Sequence, residues 1–128
     1  MNCPFCSPNA EEILLKNDLC YVLADRYPVS RGHLLVIPFR HVAEIFSLSD
    51  DEKRELVRLL NNAKELLDRC LSPDGYNVGV NVGSAGGQTI MHAHVHLIPR
   101  YHADVDDPRG GVRGVITQKR VWTAIDDK

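Results

Sequence analysis

The sequence predicts one domain of mixed helix and strand, with short β-strands before and after a single long helix. Three observations lead there. Apolar or alternating runs of strand length occur at 13–16, 19–24, 33–38, 76–82 and 91–100. Between the third and fourth of them, Leu56, Leu59, Leu60, Ala63, Leu66, Leu67 and Cys70 recur at helical spacing, with Lys53, Arg54, Arg58, Lys64, Glu65 and Asp68 mostly opposite. The 128 residues, 44% hydrophobic and 25% charged, suffice for one core that removes about two-thirds of the unfolded surface from water. No internal repeat and no second domain is legible, so 1–128 is read as one domain.

Each element has a local cause. Ile13–Lys16 and Leu19–Ala24 flank Asn17-Asp18, a pair suited to a tight turn, and are expected to form a hairpin. The segment from Asp25 to Gly32 holds Pro28 and Gly32 and reads as a loop that delivers the chain into a buried strand, His33–Pro38. His41 follows in a short connection. Ser49-Asp50-Asp51-Glu52 is a capping box, worth about 1 kcal/mol, that marks the helix start, and Ser72-Pro73-Asp74-Gly75 marks its end. Tyr76–Val82 alternates, with Val78, Val80 and Val82 on one face and Asn77, Gly79 and Asn81 on the other. A glycine-rich loop, Gly83–Thr89, then leads into the last strand. That loop is no P-loop, since no lysine follows its glycines, but its small residues would let a phosphate approach backbone amides. Beyond Pro99 the periodicity fades into a tail over 101–128, in which Val115–Ile125 with Trp122 is expected to pack as a late strand or arm.

The totals narrow the partners. A formal net charge of −2 supplies no general attraction to nucleic acid or anionic membrane. The absence of an apolar run near 18 residues, and of a basic-then-apolar leader, leads us to expect neither a membrane span nor a secretory signal, hence a cytoplasmic setting with reduced thiols. Cys20 and Cys70 are read as core residues. Cys3-Pro4-Phe5-Cys6 lacks the strand-then-helix context of a redox motif and is better read as half of a zinc site, whose other two ligands must come from elsewhere.

The chemical centre of the sequence is Met91-His92-Ala93-His94-Val95-His96-Leu97-Ile98-Pro99-Arg100. Three of the six histidines fall at alternate positions, so an extended strand would turn His92, His94 and His96 to one face and Ala93, Val95 and Leu97 to the other. Taken alone, the pattern fits a partly exposed strand, a three-histidine catalytic zinc centre, or a metal-free site with a nucleophilic imidazole. His33 and Asp25, likewise, read alone as a core histidine and a turn residue.

His92-Ala93-His94-Val95-His96-Leu97-Ile98 resembles the signature of the histidine triad (HIT) family of nucleotide hydrolases and transferases, His-φ-His-φ-His-φ-φ with φ apolar. The resemblance extends to Asp25, Gly32-His33, His41, Asn81 and Gly87-Gln88-Thr89, and so covers nearly all of residues 3–100. It implies an α+β fold, an antiparallel sheet of about five strands with one long helix packed on it, and a homodimer. It also implies roles. His94 would be the nucleophile toward the α-phosphorus of a nucleotide, supported by His96 and His33. Asp25 would accept from the ribose hydroxyls, and Asn81, Gly87, Gln88 and Thr89 would contact phosphate and leaving group. Cys3, Cys6, His41 and His92 match the ligands of a structural zinc found in many bacterial relatives, which would make residues 1–10 a zinc-binding segment.

What the resemblance implies about activity is a nucleotidyl hydrolase acting on an adenosine-containing nucleotide of the dinucleoside polyphosphate kind. Asp107–Arg113 is similar to a segment of prokaryotic members described in that way, with Arg109 and Arg113 either contacting extra phosphates or serving as surface charge. Trp122 lacks the proline that follows the tryptophan in the phosphoramidase branch. The alternatives carrying the same nucleophile are a nucleoside phosphoramidase and a nucleotidyl transferase or phosphorylase; a weakly catalytic nucleotide-binding scaffold is the rival outside enzymology.

Overall fold

In the computed structural model, which describes residues 3–121, five strands and one long helix form an α+β fold. The strands are β1 (Leu15–Lys16), β2 (Cys20–Ala24), β3 (Leu34–Pro38), β4 (Gly75–Gly79) and β5 (Val95–Arg100). They make a single sheet in the order β1-β2-β3-β5-β4, and every neighbouring pair is antiparallel. The helix α1 (Asp50–Leu71) connects β3 to β4 and covers one face.

The hairpin forms because Asn17 closes it: its side-chain oxygen accepts from the amides of Leu19 and Cys20 at 3.1 and 2.8 Å. β3 is buried along its whole length, which explains its unbroken apolar run. Alternation along the strands then divides the interior in two. Toward the helix, Cys20, Val22, Leu34, Val36, Val95 and Leu97 meet Leu56, Leu59, Ala63 and Leu67. On the opposite face Tyr21, Leu35 and Ile37 are covered by Phe5 from the amino-terminal segment. The Tyr21 hydroxyl donates to the carbonyl of Phe5 and ties that segment to the sheet. Burial pushes the Cys20 thiol up to about 12, so it is an inert core group.

Gly32 turns the chain into β3 with φ +92°, and a Cβ there would come within 2.6 Å of Leu71 Cδ1. Only glycine lets the loop before His33 sit this close to the helix.

The helix start is a capping box as expected. Ser49 Oγ accepts from the Glu52 amide at 3.1 Å, and Glu52 Oε1 accepts from the Ser49 amide at 2.8 Å. Glu52 does more than cap: Arg40 donates to both of its oxygens, at 2.7 and 3.0 Å. The buried carboxylate thereby fastens the helix to the loop that carries His41.

Several expectations need correction. The fourth strand stops at Gly79 rather than Val82, and the last begins at Val95 rather than Met91. Both limits have one cause. The Ala93 amide donates to the Val42 carbonyl at 2.8 Å, which draws residues around His92 away from the β4 edge and leaves Asn81 without a ladder partner. The first strand is only Leu15–Lys16. Cys70 is exposed, because the buried stripe passes through Leu67 toward Leu71, the side on which Gly32 lies. In the tail, Gly111–Val115 and Thr117–Lys119 are single 3₁₀ turns rather than a strand, and Trp122 and the residues after it lie outside the described ones. Among the described residues, no helix is long and apolar enough to cross a membrane.

Glu52→Ala is expected to lower stability by about 1–2 kcal/mol in denaturant unfolding. The Arg40 guanidinium holds the Glu52 carboxyl down to about 2, against an ordinary value of 4.5. Its stabilisation is therefore complete above pH 4.5 and is lost as the pH falls toward 2. Glu52→Gln should flatten that part of the acid limb in thermal melts recorded against pH.

Candidate active site and metal centre

A neutral imidazole carries one proton, so fixing the partner of one nitrogen determines what the other can do. His94 lies just before β5, and its Nδ1 sits 2.8 Å from the carbonyl of His92. A carbonyl only accepts, so Nδ1 bears the proton and Nε2 keeps a free lone pair. His33, just before β3, receives the Val29 amide on its Nδ1 at 3.1 Å, which places its proton on Nε2. That Nε2–H faces His96 Nδ1 at 3.0 Å and Asp25 Oδ2 at 3.3 Å. His96 Nδ1 accepts, so His96 in turn holds its proton on Nε2. The result is a hydrogen-bonded line, Val29 to His33 to His96, beside an imidazole whose Nε2 has no partner among the described residues.

Sheet register sets these groups side by side. His96 on β5 stands opposite Leu35 of β3 and Gly79 of β4, and the absence of a side chain at Gly79 leaves room over the strand. The rings of His94 and His96 are 5.1 Å apart. Burial lowers the pKa of His33 and of His96. For His96 the neighbouring imidazoles of His94 and His33 push the same way, while the Asp25 carboxylate opposes both shifts.

A cleft of about 950 Å³ opens over these residues. His33, His94, His96 and Asp25 line it, together with Asn81, Gly87 and Thr89. Asp25 also accepts from the Tyr27 amide at 2.9 Å, which fixes its carboxylate. Gln88 departs from its expected position. It is buried, its Oε1 accepts from the Gly83 amide, and its amide nitrogen donates to the carbonyls of Ala43 and Ile90. Its side chain holds the glycine-rich turn in shape and does not line the cleft. Arg109 and Arg113 also stand apart: the first pairs with Asp107 and the second donates to the carbonyls of Lys119 and Arg120.

Cys3, Cys6, His41 and His92 come together on the same side of the sheet, and their donor atoms all lie within 4.8 Å of one another. His92 is fully buried, with Nε2–H donating to the Pro38 carbonyl at 2.8 Å, so the lone pair of its Nδ1 faces the cluster. That Nδ1 is 3.1 Å from His41 Nδ1 and 3.3 Å from Cys3 Sγ, and Cys6 Sγ is 3.1 Å from His41 Nδ1. Ordinary zinc bond lengths in a tetrahedron require donor separations of roughly 3.3–3.8 Å, so this group could hold a metal ion with little movement. Asp25, His33 and His96 also gather their donors within the same distance. They suit a metal poorly, since the Nε2 of His33 is already protonated. Of the three alternate histidines only His96 lies on β5; His92 turns to the cysteines, and His94 and His96 line the cleft.

Phe5 was not singled out by the sequence. It is buried, it lines the cleft, and its ring stands 5.9 Å from that of His92 and 5.1 Å from that of His94. The available signal was an apolar aromatic between two candidate ligands in a segment otherwise rich in polar residues.

The HIT domain family matches residues 7–103. The chain is 38% identical over 95 residues to a Mycobacterium tuberculosis AP-4-A phosphorylase, with 73% of this chain and 49% of the relative covered. It is 30% identical over 100 residues to the Schizosaccharomyces pombe asymmetrical bis(5'-nucleosyl)-tetraphosphatase, covering 78% and 55%. The chain thus spans about half the length of these curated relatives. Among solved structures, a hypothetical histidine triad nucleotide-binding protein from Sulfolobus tokodaii superposes with a TM-score of 0.74 at 33% identity, over 82% of this chain and 73% of that one. Five antiparallel strands with one helix are common to both.

His33 and His96 should remain neutral below their ordinary pKa of 6.5, with NMR titration midpoints under that value. Because the unfolded chain protonates first, stability is highest above pH 6.5 and falls as the pH drops toward the depressed midpoints. His33→Asn should weaken that dependence in thermal melts between pH 7 and 5.

Proposed function

This chain is a member of the HIT domain family, and from that premise we propose that it is a nucleotidyl hydrolase, cleaving an adenosine-containing nucleotide of the dinucleoside polyphosphate kind at its α-phosphorus. The observation that carries this reading is the Nε2 of His94, which lines the cleft with no hydrogen-bond partner among the described residues while its other nitrogen is committed to the His92 carbonyl. That lone pair attacks phosphorus, and a nitrogen–phosphorus bond forms as the bond to the distal phosphate oxygen breaks. The leaving polyphosphate departs as an oxyanion and needs no proton donor. The Nε2–H of His96 donates to the phosphoryl oxygens as their charge grows, and His33 holds His96 in that tautomer. Water then attacks the phosphoramidate, the nitrogen–phosphorus bond breaks, one proton passes to solvent, and nucleoside monophosphate is released.

In this reading Asp25 accepts from the ribose hydroxyls. Asn81, Thr89 and the backbone around Gly87 receive phosphate oxygens, with Gln88 contributing by holding the turn. Zinc is the metal we assign to Cys3, Cys6, His41 and His92, since two thiolates and two imidazole lone pairs make a closed tetrahedral set. Bound there, it would cross-link the amino-terminal segment to the sheet and leave no position for water. Reduced thiols suit a cytoplasmic setting, and the β4 edge, which pairs only with β5 among the described residues, suits a homodimer. A phosphorylase is the second reading, favoured by the 38% identical relative of that name. In it inorganic phosphate replaces water and the product is a nucleoside diphosphate.

His94→Asn should reduce turnover of diadenosine tetraphosphate by roughly three orders of magnitude or more while nucleotide still binds. Retained activity would remove His94 from the reaction. Assays with and without inorganic phosphate separate the two readings: monophosphate released in water alone supports the hydrolase, and diphosphate formed only with phosphate supports the phosphorylase. For the metal, Cys3→Ser should lose stoichiometric zinc by elemental analysis and melt at a lower temperature; unchanged zinc content would refute the ligand set.

A further inference from the structure

We propose that Phe5 is a positioning residue that sets the orientation of the His94 imidazole, and that the loop between the two cysteines exists in its present form to hold that ring in place. The inference rests on the reading of His94 as nucleophile, and deepens it.

His94 needs such support. It precedes β5, so no ladder hydrogen bonds fix its backbone to a neighbouring strand, and its side chain is half-buried at the cleft. Among the described residues one hydrogen bond, from Nδ1 to the His92 carbonyl, defines its useful rotamer. A single bond leaves the ring free to swing about it. Two rings contact the imidazole and restrict that motion: His96 at 5.1 Å with an interplanar angle of 67°, and Phe5 at 5.1 Å with 68°. Both are edge-on contacts, the arrangement aromatic pairs prefer. His96 is itself fixed by β5 and by His33. Phe5 is the second contact, held independently of β5.

Phe5 in turn is held at several points. Cys3 and Cys6, on either side, bring their sulfurs to the imidazoles of His92 and His41. The Cys6 amide donates to the Cys3 carbonyl, which closes the loop as a turn. The Phe5 carbonyl accepts from the buried Tyr21 hydroxyl. The ring also packs edge-on against His92, at 90°, so it wedges between one residue that faces the cysteines and one that faces the cleft. Exposure argues the same way: Cys6 is exposed and Cys3 partly so, yet the aromatic between them is 6% exposed. Phe5 also covers Tyr21, Leu35 and Ile37, and its edge contact with His94 is what it adds beyond that packing.

The test compares wild type with Phe5→Leu, which keeps apolar volume but removes the ring edge. Three readouts are taken: zinc content with the thermal melt, kcat and KM for diadenosine tetraphosphate, and the side-chain ¹⁵N shifts of His94 in nucleotide-free protein. A positioning role predicts retained zinc, a fall in kcat of roughly ten- to a hundred-fold with KM changed little, and His94 nitrogen shifts that move toward values averaged over both tautomers. Phe5→Tyr, which restores the ring edge, should recover most of kcat. Unchanged His94 shifts, or a rise in KM with kcat intact, would overturn the proposal and leave Phe5 as a wall of the nucleotide site. Should Phe5→Leu lose zinc, Phe5→Met is read in the same three ways. If wild type turns over no nucleotide, the proposed activity fails by itself, and the ¹⁵N shifts still decide whether Phe5 orients His94.

Discussion

The whole site follows from one constraint: a neutral imidazole has a single proton to place, and a main-chain group decides where it goes. The carbonyl of His92 claims the Nδ1 proton of His94, the amide of Val29 expels the proton of His33 to Nε2, and the carbonyl of Pro38 takes the Nε2 proton of His92. Each assignment leaves the opposite nitrogen in the state its surroundings can use: a lone pair in the cleft, a donor toward His96, a lone pair among thiols. The arrangement requires the neutral imidazole at each position. Burial acts in the same direction on His33 and His96 by disfavouring their charged forms.

The fold can be understood as the device that puts those main-chain groups where they are needed. The central strand β3 is apolar throughout, so it is covered on both sides, by α1 on one face and by the amino-terminal segment on the other. His33 and Pro38 sit at its two ends and serve the two centres. The departure of His92 and Ala93 from the β4 edge toward Val42 brings His92 to the cysteines. Glu52 links the helix start to Arg40, next to His41, so the same helix that builds the core also steadies one side of the cysteine–histidine cluster.

Much of this was legible from residues alone, and the gaps have physical causes. The capping box at Ser49, the turn at Asn17 and the buried run of β3 are local patterns whose determinants lie within a few residues, and each stands where it was expected. Cys70 was misread because helical periodicity cannot say whether the stripe drifts toward 70 or 71; the Gly32 loop settles that from the other side of the molecule. Gln88 was expected at the phosphates from its place in the motif, yet its amide is consumed by carbonyls of Ala43 and Ile90, one of them 45 positions away. Phe5 escaped notice because an aromatic's partners are set by packing, not by spacing.

By itself the sequence determined that an amphipathic helix must cover one face of the sheet and that two cysteines need ligands from elsewhere. Those are consequences of backbone geometry and of donor chemistry, and they hold for any chain with this pattern. The division of the triad histidines between two centres is already implied by the family resemblance; only the tertiary structure decided which nitrogen of each is available. The reason is that a tautomer depends on a hydrogen-bond partner, and the partners of His33, His92 and His94 are main-chain groups that every residue possesses and no residue type announces.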